Sequence, residues 1–255
     1  MNNGRNNIEY TVDQIIASGR EVIRIESESV SGLLGKINEG FARAVDLILR
    51  SEGRVVLTGV GKSGLIARKI VATMNSTGTP AIYLHPTDAL HGDLGMVRRE
   101  DVVILLSKSG ATEELMMLIP MLKRLDVTLI GMLGDSRSKM ARQMDVVLDV
   151  EVGEEACPYD LAPTASTTAT LAMGDALSVA LLKLRGFTEQ DFAMLHPGGS
   201  LGKRLSLKIS EIMYTGDSIP VVHESTSFKD SILEITSKRL GVTCVVDDAG
   251  KLLGV

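Results

Sequence analysis

The segment "LTGVGKSG", residues 57–64, combines three glycines with a lysine and a serine directly after the apolar run "RVV". The backbone amides of such a turn, with the start of a following helix, favour binding of a phosphate group. Three ligands fit the pattern: a dinucleotide, a nucleoside triphosphate or a smaller sugar phosphate. A further interpretation assigns the glycines only to the packing of a tight strand-to-helix turn.

Residue spacing around this loop argues against the two nucleotide ligands. A nucleotide P-loop needs a glycine five residues before Gly61, and the chain has Val56 there. A dinucleotide site needs an acidic residue at the end of the second strand, but that run ends "IYLHP" and the next acid is Asp88. A sugar phosphate held by Ser63 and the backbone of Gly61, with Lys62 near the reacting atoms, therefore fits best.

A second loop, "SKSGATEE" at residues 107–114, offers hydroxyl and backbone donors at the start of another helix. Because the carboxyl ends of parallel strands share one edge of a sheet, we expect both loops to bind the same ligand. Hydroxyl donors without an aspartate cluster for magnesium favour a phosphate monoester, although a serine-rich turn is often only a helix cap. The candidate substrate contacts in this loop are Ser107, Ser109, Gly110 and Thr112.

Two pairs of carboxylates follow strands at the same predicted edge. Glu113 and Glu114 open the helix after the serine loop, and Glu154 and Glu155 follow the fifth strand. A carboxylate is a suitable base for removing a proton next to a carbonyl group. The alternative is a solvated side chain, or one that complements a helix dipole. The sequence does not rank Glu114 against Glu155 as the base.

Three histidines are candidates for further roles. His196 lies between an amphipathic helix and a glycine-rich turn, where its ring can face a cleft. His85 and His91 are six residues apart on a predicted loop, and two ligands make only a weak metal site. A lone histidine is more often structural, so these assignments depend on what lies around each ring.

Short apolar runs alternate with helical patterns and must position these loops. The near-continuous hydrophobicity of the runs is typical of parallel strands covered by helices on both faces. The predicted strands are residues 54–59, 80–84, 101–107, 127–133 and 145–150. The predicted helices are residues 63–77, 111–125, 138–144, 164–185 and 188–196, after two helices between residues 11 and 51. We therefore predict an α/β fold with a doubly wound, five-stranded parallel sheet and N-terminal helices.

The character of the sequence changes near residue 206. Residues 206–255 predict a strand or turn, a helix at about 227–238 and two short strands around "DDAGK". This order resembles the first half of a CBS motif, a module that binds adenosyl ligands. We expect a domain at residues 1–205 and an incomplete, poorly packed CBS motif at 206–255, with nucleotide binding only in a longer parent protein.

The amino-acid composition argues against several other classes of protein. Hydrophobic residues make up 44% of the 255 residues, enough for a sizeable core. A net charge of -5 and the scarcity of aromatics argue against nucleic-acid binding. Cys157 and Cys244 have neither zinc-site nor disulfide-framework spacing. The first ten residues lack an apolar signal segment and no run reaches membrane-span length, so we expect a cytoplasmic protein without a membrane partner.

Five motifs occur in the order "GVGKSG", "STGTPAIYLHPTDALHGDLGMV", "LLSKSGATEE", "EEACPYDLAPTASTTATLAMGDALSVALL" and "FAMLHPGGSLGKRL". Together they resemble the sugar isomerase (SIS) domain of the arabinose 5-phosphate isomerase family. The resemblance implies aldose–ketose interconversion of D-ribulose 5-phosphate and D-arabinose 5-phosphate through a cis-enediol, supplying 3-deoxy-manno-octulosonate biosynthesis. It also implies that no cofactor is required. We expect a homotetramer, with His196 as a candidate to complete a neighbouring subunit's site.

The resemblance assigns roles to individual residues of this sequence. It implies a catalytic set of Lys62, Glu114, Glu155 and His196. It further implies substrate contacts at His91, Gly78 and Thr79, and a zinc site at His85 where the metal inhibits.

Lys108 departs from the resemblance, because the family's serine loop usually has asparagine at this position. Its extra cation either strengthens phosphate binding or points to solvent, and the sequence leaves both open. Two rival functions also remain: isomerisation of another phosphosugar, and sugar-phosphate sensing without turnover. Sensors of that kind normally carry a basic helix-turn-helix, which residues 1–50 lack.

Overall fold

The computed structural model describes residues 11–198, 202 and 208–255. It divides the chain into two compact units, Met1–His196 and Pro197–Val255. The predicted boundary after residue 205 and the first ten residues lie outside the described residues.

The first unit is built on a five-stranded sheet in which every pair of neighbouring strands is parallel. Its strands are β1 (Val55–Thr58), β2 (Ala81–Leu84), β3 (Val102–Ser107), β4 (Thr128–Leu133) and β5 (Val146–Asp149), in the order β2-β1-β3-β4-β5. Every residue of β1 and β3 is buried because helices cover both faces of the sheet. The predicted doubly wound α/β fold is confirmed.

Seven helices accompany this sheet among the described residues of the first unit. They are α1 (Val12–Gly32), α2 (Glu39–Arg50), α3 (Gly61–Ser76), α4 (Pro86–Leu90), α5 (Glu113–Arg124), α6 (Ala165–Leu184) and α7 (Glu189–Leu195). Buried residues of α2, α3 and α6 form one core with the sheet, and those of α4 and α5 form the other. Since consecutive strand residues point to opposite faces, Leu57 joins the first core and Val56 the second.

Helix α6 is the central helix of the first core. By length and composition alone it is apolar enough to cross a membrane. However, Met173, Leu177 and Leu181 are fully buried in the core that α6 forms with the sheet. Its hydrophobicity is therefore explained by packing inside the domain.

Two local predictions were wrong. Residues 138–144 were predicted as a helix, but only a 3-10 turn at Ala141–Gln143 forms. The segment is held in turns because the amide of Ser138 bonds the carbonyl of Asp135 and the amide of Met140 bonds the carbonyl of Gly110. The loop predicted between His85 and His91 instead contains α4, which begins at Pro86, a favourable residue in a first helical turn.

The second unit contains the predicted helix and short strands. Its elements are α8 (Ile209–Ile212), β6 (Val221–His223), α9 (Phe228–Lys238), β7 (Cys244–Val246) and β8 (Leu252–Gly254), and β6 pairs parallel with β7 while β8 runs antiparallel to it. Several apolar side chains stay exposed, including Phe228 at 82% and Leu252 at 57%. The assignment of this unit to an incomplete CBS motif stays a prediction.

Candidate active site

The strand order brings the two candidate ligand-binding loops together. Strand β1 pairs directly with β3, so the loop after β1 and the serine loop after β3 lie side by side at one edge of the sheet. The chain leaves β1 toward β2 on one side and returns to β3 on the other. Such a change of direction opens the crevice in which doubly wound sheets bind ligands.

The first loop ends at the N-terminus of α3, which has no side-chain cap at Val60. Gly61 adopts a φ of +59°, a backbone conformation that glycine tolerates and most residues do not. The hydroxyl of Tyr83 donates to the carbonyl of Gly59 at 2.7 Å and fixes the start of the loop. The uncapped amides and the positive end of the helix dipole make this turn an anion-binding candidate.

The serine loop is stabilised by its own hydroxyl groups. The Ser107 Oγ accepts the amide of Gly110 at 3.0 Å and bonds the Thr112 hydroxyl at 2.8 Å. The Ser109 Oγ accepts the amide of Ala111 at 3.2 Å. Ser107 is 4% exposed, so its role is mainly to shape the loop, whereas Ser109 is exposed at the sheet edge.

The side chain of Glu155 lies at the N-terminus of α6. It caps the helix in place of the N-cap residue Thr164, whose own side chain forms no capping bond. Its Oε2 atom accepts the Thr164 amide at 2.7 Å, the Thr164 hydroxyl at 3.0 Å and the Ser166 amide at 3.1 Å. The Ser166 hydroxyl donates to its Oε1 atom. A carboxylate at this position satisfies free amides and meets the positive end of the helix dipole.

The ionised form of Glu155 is strongly favoured. The side chain is fully buried and lies 3.0 Å from the Lys108 Nζ. Burial by itself raises the pKa of Glu155, but hydrogen bonds from the Ser166 hydroxyl, the Thr164 amide, Lys108 and the Ser166 amide together lower it to about 2. The site therefore contains a buried carboxylate that is charged at neutral pH.

Lys108 also binds a second carboxylate, that of Asp160, at 2.9 Å. Burial lowers the pKa of Lys108, but its bonds to Asp160 and Glu155 raise it above the usual value. Tyr159 and Asp160 are consecutive non-glycine residues with φ of +68° and +55°. Each such residue costs roughly 1–2 kcal/mol, so the ion pair to Lys108 helps to hold a strained segment in place.

Two cavities lie beside Lys108. A cleft of about 540 Å³ is lined by both residues, by the segment from Val152 to Asp160 and by Ile25 of α1. A cavity of only about 20 Å³ lies between the loops, with Ser63, Ser107 and Ser166 among its lining residues. The smaller space suits about one water molecule, whereas the cleft has room for a small ligand.

Two other members of the predicted catalytic set lie at this edge but do not contact Glu155. Lys62, in the first turn of α3, is exposed, and Glu114, in the first turn of α5, is half-buried. Neither side chain forms a hydrogen bond or ion pair with any residue that the structure describes.

The remaining predicted site residues lie elsewhere in the chain. Gly78 and Thr79 precede β2 at the opposite edge of the sheet, where Gly78 packs against the ring of Phe187. His196 follows α7, which begins shortly after Phe187. Its ring stacks on Phe192 with centroids 3.9 Å apart, and no contact with Glu155 is found among the described residues. Within one chain the structure therefore does not bring these three residues to the cleft.

The two remaining candidate histidines, His85 and His91, flank α4. The buried Nδ1 of His85 has no hydrogen-bond partner among the described residues, and His91 is exposed. The residues that the structure describes contain no cluster of three or more histidine, cysteine or acidic side chains able to hold a metal. A zinc ion at His85 would therefore need further ligands from outside the described part of this chain.

Sequence reasoning missed the residues that surround Glu155. Asp160, Thr164 and Ser166 were not singled out, and Lys108 was assigned to phosphate or solvent rather than to a carboxylate. The hydroxyl-rich start of the helix, "PTASTTAT", was the available signal, because such residues favour helix N-termini.

The fold and the loop cluster define a SIS-domain protein, and the SIS domain family matches residues 48–180. The arabinose 5-phosphate isomerase KdsD of Pseudomonas aeruginosa is 49% identical over 249 residues, which is 98% of this chain and 76% of that protein. KdsD of Escherichia coli K12 is 53% identical over 93% of this chain and 73% of that protein. The chain belongs to this arabinose 5-phosphate isomerase family of SIS-domain proteins.

A solved structure supports the same relationship. The Escherichia coli CFT073 protein c3406, solved in complex with arabinose 5-phosphate, is 39% identical and superimposes with a TM-score of 0.71. The match covers 74% of this chain and all of that protein. The chain spans about three quarters of the length of the KdsD relatives.

Proposed function

We propose that this protein is an aldose–ketose isomerase that interconverts D-ribulose 5-phosphate and D-arabinose 5-phosphate through a cis-enediol, supplying 3-deoxy-manno-octulosonate biosynthesis. About 50% identity to KdsD proteins over nearly the whole chain supports this activity. The observation in the structure that supports the proposal is Glu155, a buried and ionised carboxylate beside the two candidate anion-binding loops.

The reaction moves one proton between neighbouring carbons. A base removes a proton from C1 of the ketose while the C2 carbonyl oxygen gains a proton, which gives a 1,2-enediol. The same base then returns a proton to C2 while the C1 hydroxyl loses its proton, which gives the aldose. We assign this role to Glu155, with Glu114 as the rival, since both follow strands at the same edge of the sheet. Because Glu155 accepts several hydrogen bonds, it must lose at least one of them on substrate binding to act as an effective base.

Other residues would support this step. The substrate phosphate would bind at the N-termini of α3 and α5, through the hydroxyls of Ser63 and Ser109 and the backbone of Gly61, while Gly110 shapes the serine loop. Lys62 would stabilise the negative charge of the enediolate. Since the cavity between the loops holds only about 20 Å³, the sugar would occupy the adjoining cleft of about 540 Å³.

The wider assignments follow from the same proposal. The ligand is a small sugar phosphate, and no cofactor is required. Zinc at His85 acts as an inhibitor, with His91 as a substrate contact. The protein acts in the cytoplasm as a homotetramer in which a neighbouring subunit supplies His196, Gly78 and Thr79. In a longer parent, a completed CBS motif would bind a nucleotide.

A direct assay tests the activity. Purified protein is incubated with D-ribulose 5-phosphate, and the aldose phosphate that forms is identified by chromatography and NMR. Arabinose 5-phosphate is the expected product. A hexulose or heptose phosphate used in preference, within a panel of phosphosugars, would assign a different substrate. Binding of sugar phosphates without turnover would contradict the enzymatic function.

A further inference from the structure

Lys108 is the only described side chain that bridges Glu155 to another carboxylate. Its ammonium group lies 3.0 Å from Glu155 Oε1 and 2.9 Å from Asp160 Oδ1. The Lys108 side chain is 42% exposed, whereas Glu155 is fully buried. Lys108 follows β3 and the two acids follow β5, so the ion pairs join two separate loops at the sheet edge.

The segment that Lys108 holds is strained and otherwise open. Asp160 is 69% exposed and Tyr159 is 90% exposed, and both have left-handed backbone conformations. The same segment leads from Glu155 to the start of α6 and lines one side of the cleft. Releasing Asp160 would therefore let the cleft wall move relative to the Glu155 carboxylate.

Among the described residues no second cation lines the cleft. The titratable groups lining it beside Glu155 are Glu154, Cys157, Tyr159 and Asp160 of its own segment and Lys108 of the serine loop. Helix α1 contributes only Ile25 to this lining. At the start of α6, the hydroxyl and amide of Thr164 and the amide of Ser166 donate hydrogen bonds to Glu155 but carry no charge. Lys108 is thus the cation that faces Glu155.

We propose that Lys108 is a positioning residue for the isomerase reaction: its ammonium group, bound between Glu155 and Asp160, fixes the Glu155 carboxylate and residues 156–161 in the orientation that proton transfer requires. This inference rests on the proposed function, because it takes Glu155 as the group that exchanges the proton. It replaces the two roles that the sequence left open for Lys108, phosphate binding and exposure to solvent.

Steady-state kinetics with D-ribulose 5-phosphate compare wild type, Lys108→Met and Lys108→Arg. In Lys108→Met we expect kcat to fall on the order of tenfold, since small displacements of a catalytic group are costly, with KM unchanged within about twofold. In the pH profile of kcat/KM, the acid limb should shift to a pH about one unit higher. Loss of the neighbouring cation removes its stabilisation of the ionised carboxylate. Lys108→Arg should recover most of kcat, since a guanidinium group can also bind two carboxylates.

Lys69→Met is the matched control. Lys69 pairs with Asp175 at 2.6 Å between α3 and α6 and is similarly exposed, at 46%, but it does not line the cleft. We expect this variant to keep wild-type kcat and KM. Hydrogen–deuterium exchange of the 156–163 peptide should accelerate in Lys108→Met and stay unchanged in Lys69→Met.

The outcomes separate this inference from the proposed function. A raised KM with unchanged kcat would make Lys108 a phosphate ligand and overturn the positioning role. Unchanged kinetics and unchanged peptide exchange would show that Lys108 is a bystander. If wild type does not isomerise ribulose 5-phosphate, the proposed function fails, and the exchange measurement still decides whether Lys108 holds the segment.

Discussion

The carboxylate of Glu155 caps helix α6, where its Oε2 atom accepts the backbone amide of Ser166 at 3.1 Å. One side chain thus stabilises the start of the central helix and contacts Lys108 of the serine loop. The structural and catalytic roles considered for this glutamate are therefore compatible. Experiments on Glu155 must measure stability and turnover separately.

Replacing Glu155 with glutamine should remove the base while keeping the shape of the side chain. We expect kcat to fall about 10²–10⁴-fold, the usual contribution of a positioned general base. Transfer of tritium from solvent into the substrate should fall in parallel. If Glu155→Gln exchanges tritium at the wild-type rate while Glu114→Gln does not, the base is Glu114.

The stability of the protein should depend on pH through Glu155. Its pKa of about 2 in the folded protein is below the value of 4.5 for a free side chain. A depressed pKa contributes stability above about pH 4.5, and this contribution is lost as the pH falls toward 2. The amount is on the order of 3 kcal/mol.

Urea unfolding of wild type and Glu155→Gln at several pH values measures this contribution. The variant should lose less stability than wild type between pH 4.5 and 2. Glu113→Gln, an exposed glutamate in the first turn of α5, is the control and should keep the wild-type dependence. If the free energy of unfolding falls equally with pH in wild type and Glu155→Gln, the pKa of Glu155 is not depressed.

Gly110→Ala should damage the serine loop. Gly110 has a φ of +59°, and a Cβ atom there would collide with the Ser138 side chain. We expect a loss of about 1–3 kcal/mol of stability and a raised KM for the sugar phosphate. Gly35→Ala is the control, since nothing lies near its Cβ position. An unchanged KM in Gly110→Ala would show that this loop does not bind the phosphate.

A shared active site predicts complementation between inactive chains. Within one chain His196 stacks on Phe192 and does not contact Glu155 among the described residues. Mixing unfolded and refolded Glu155→Gln and His196→Ala chains should restore part of the activity, because some sites would then receive both native residues. Activity that stays at the sum of the separate variants would mean that each chain forms its own complete site.

The sequence predicted most of the fold because the relevant signals are local. Continuous apolar runs located all five strands, and helical periodicity located α3, α5 and α6 to within a few residues. The helix predicted for residues 138–144 does not form, because tertiary hydrogen bonds hold the segment in turns. One of them joins the Met140 amide to the Gly110 carbonyl. The α4 helix was missed although Pro86 marked its start.

The candidate site was predicted less completely than the fold. The glycine loop, the serine loop and both glutamates were recognised by residue type and spacing. The partners of Glu155 were not, since Lys108 and Asp160 are 52 residues apart and belong to different loops. Their side chains meet only after β3, β4 and β5 have paired in register.

By itself the sequence determined the strands, the helices and the glycines that the loops need, because backbone geometry and hydrophobic periodicity act over a few residues. Only the tertiary structure decided that β1 lies beside β3, which places the two loops at one crevice. It also decided that Glu155 is buried against α6 and bound to Lys108. These contacts depend on strand order and helix packing, which join residues that local patterns cannot relate.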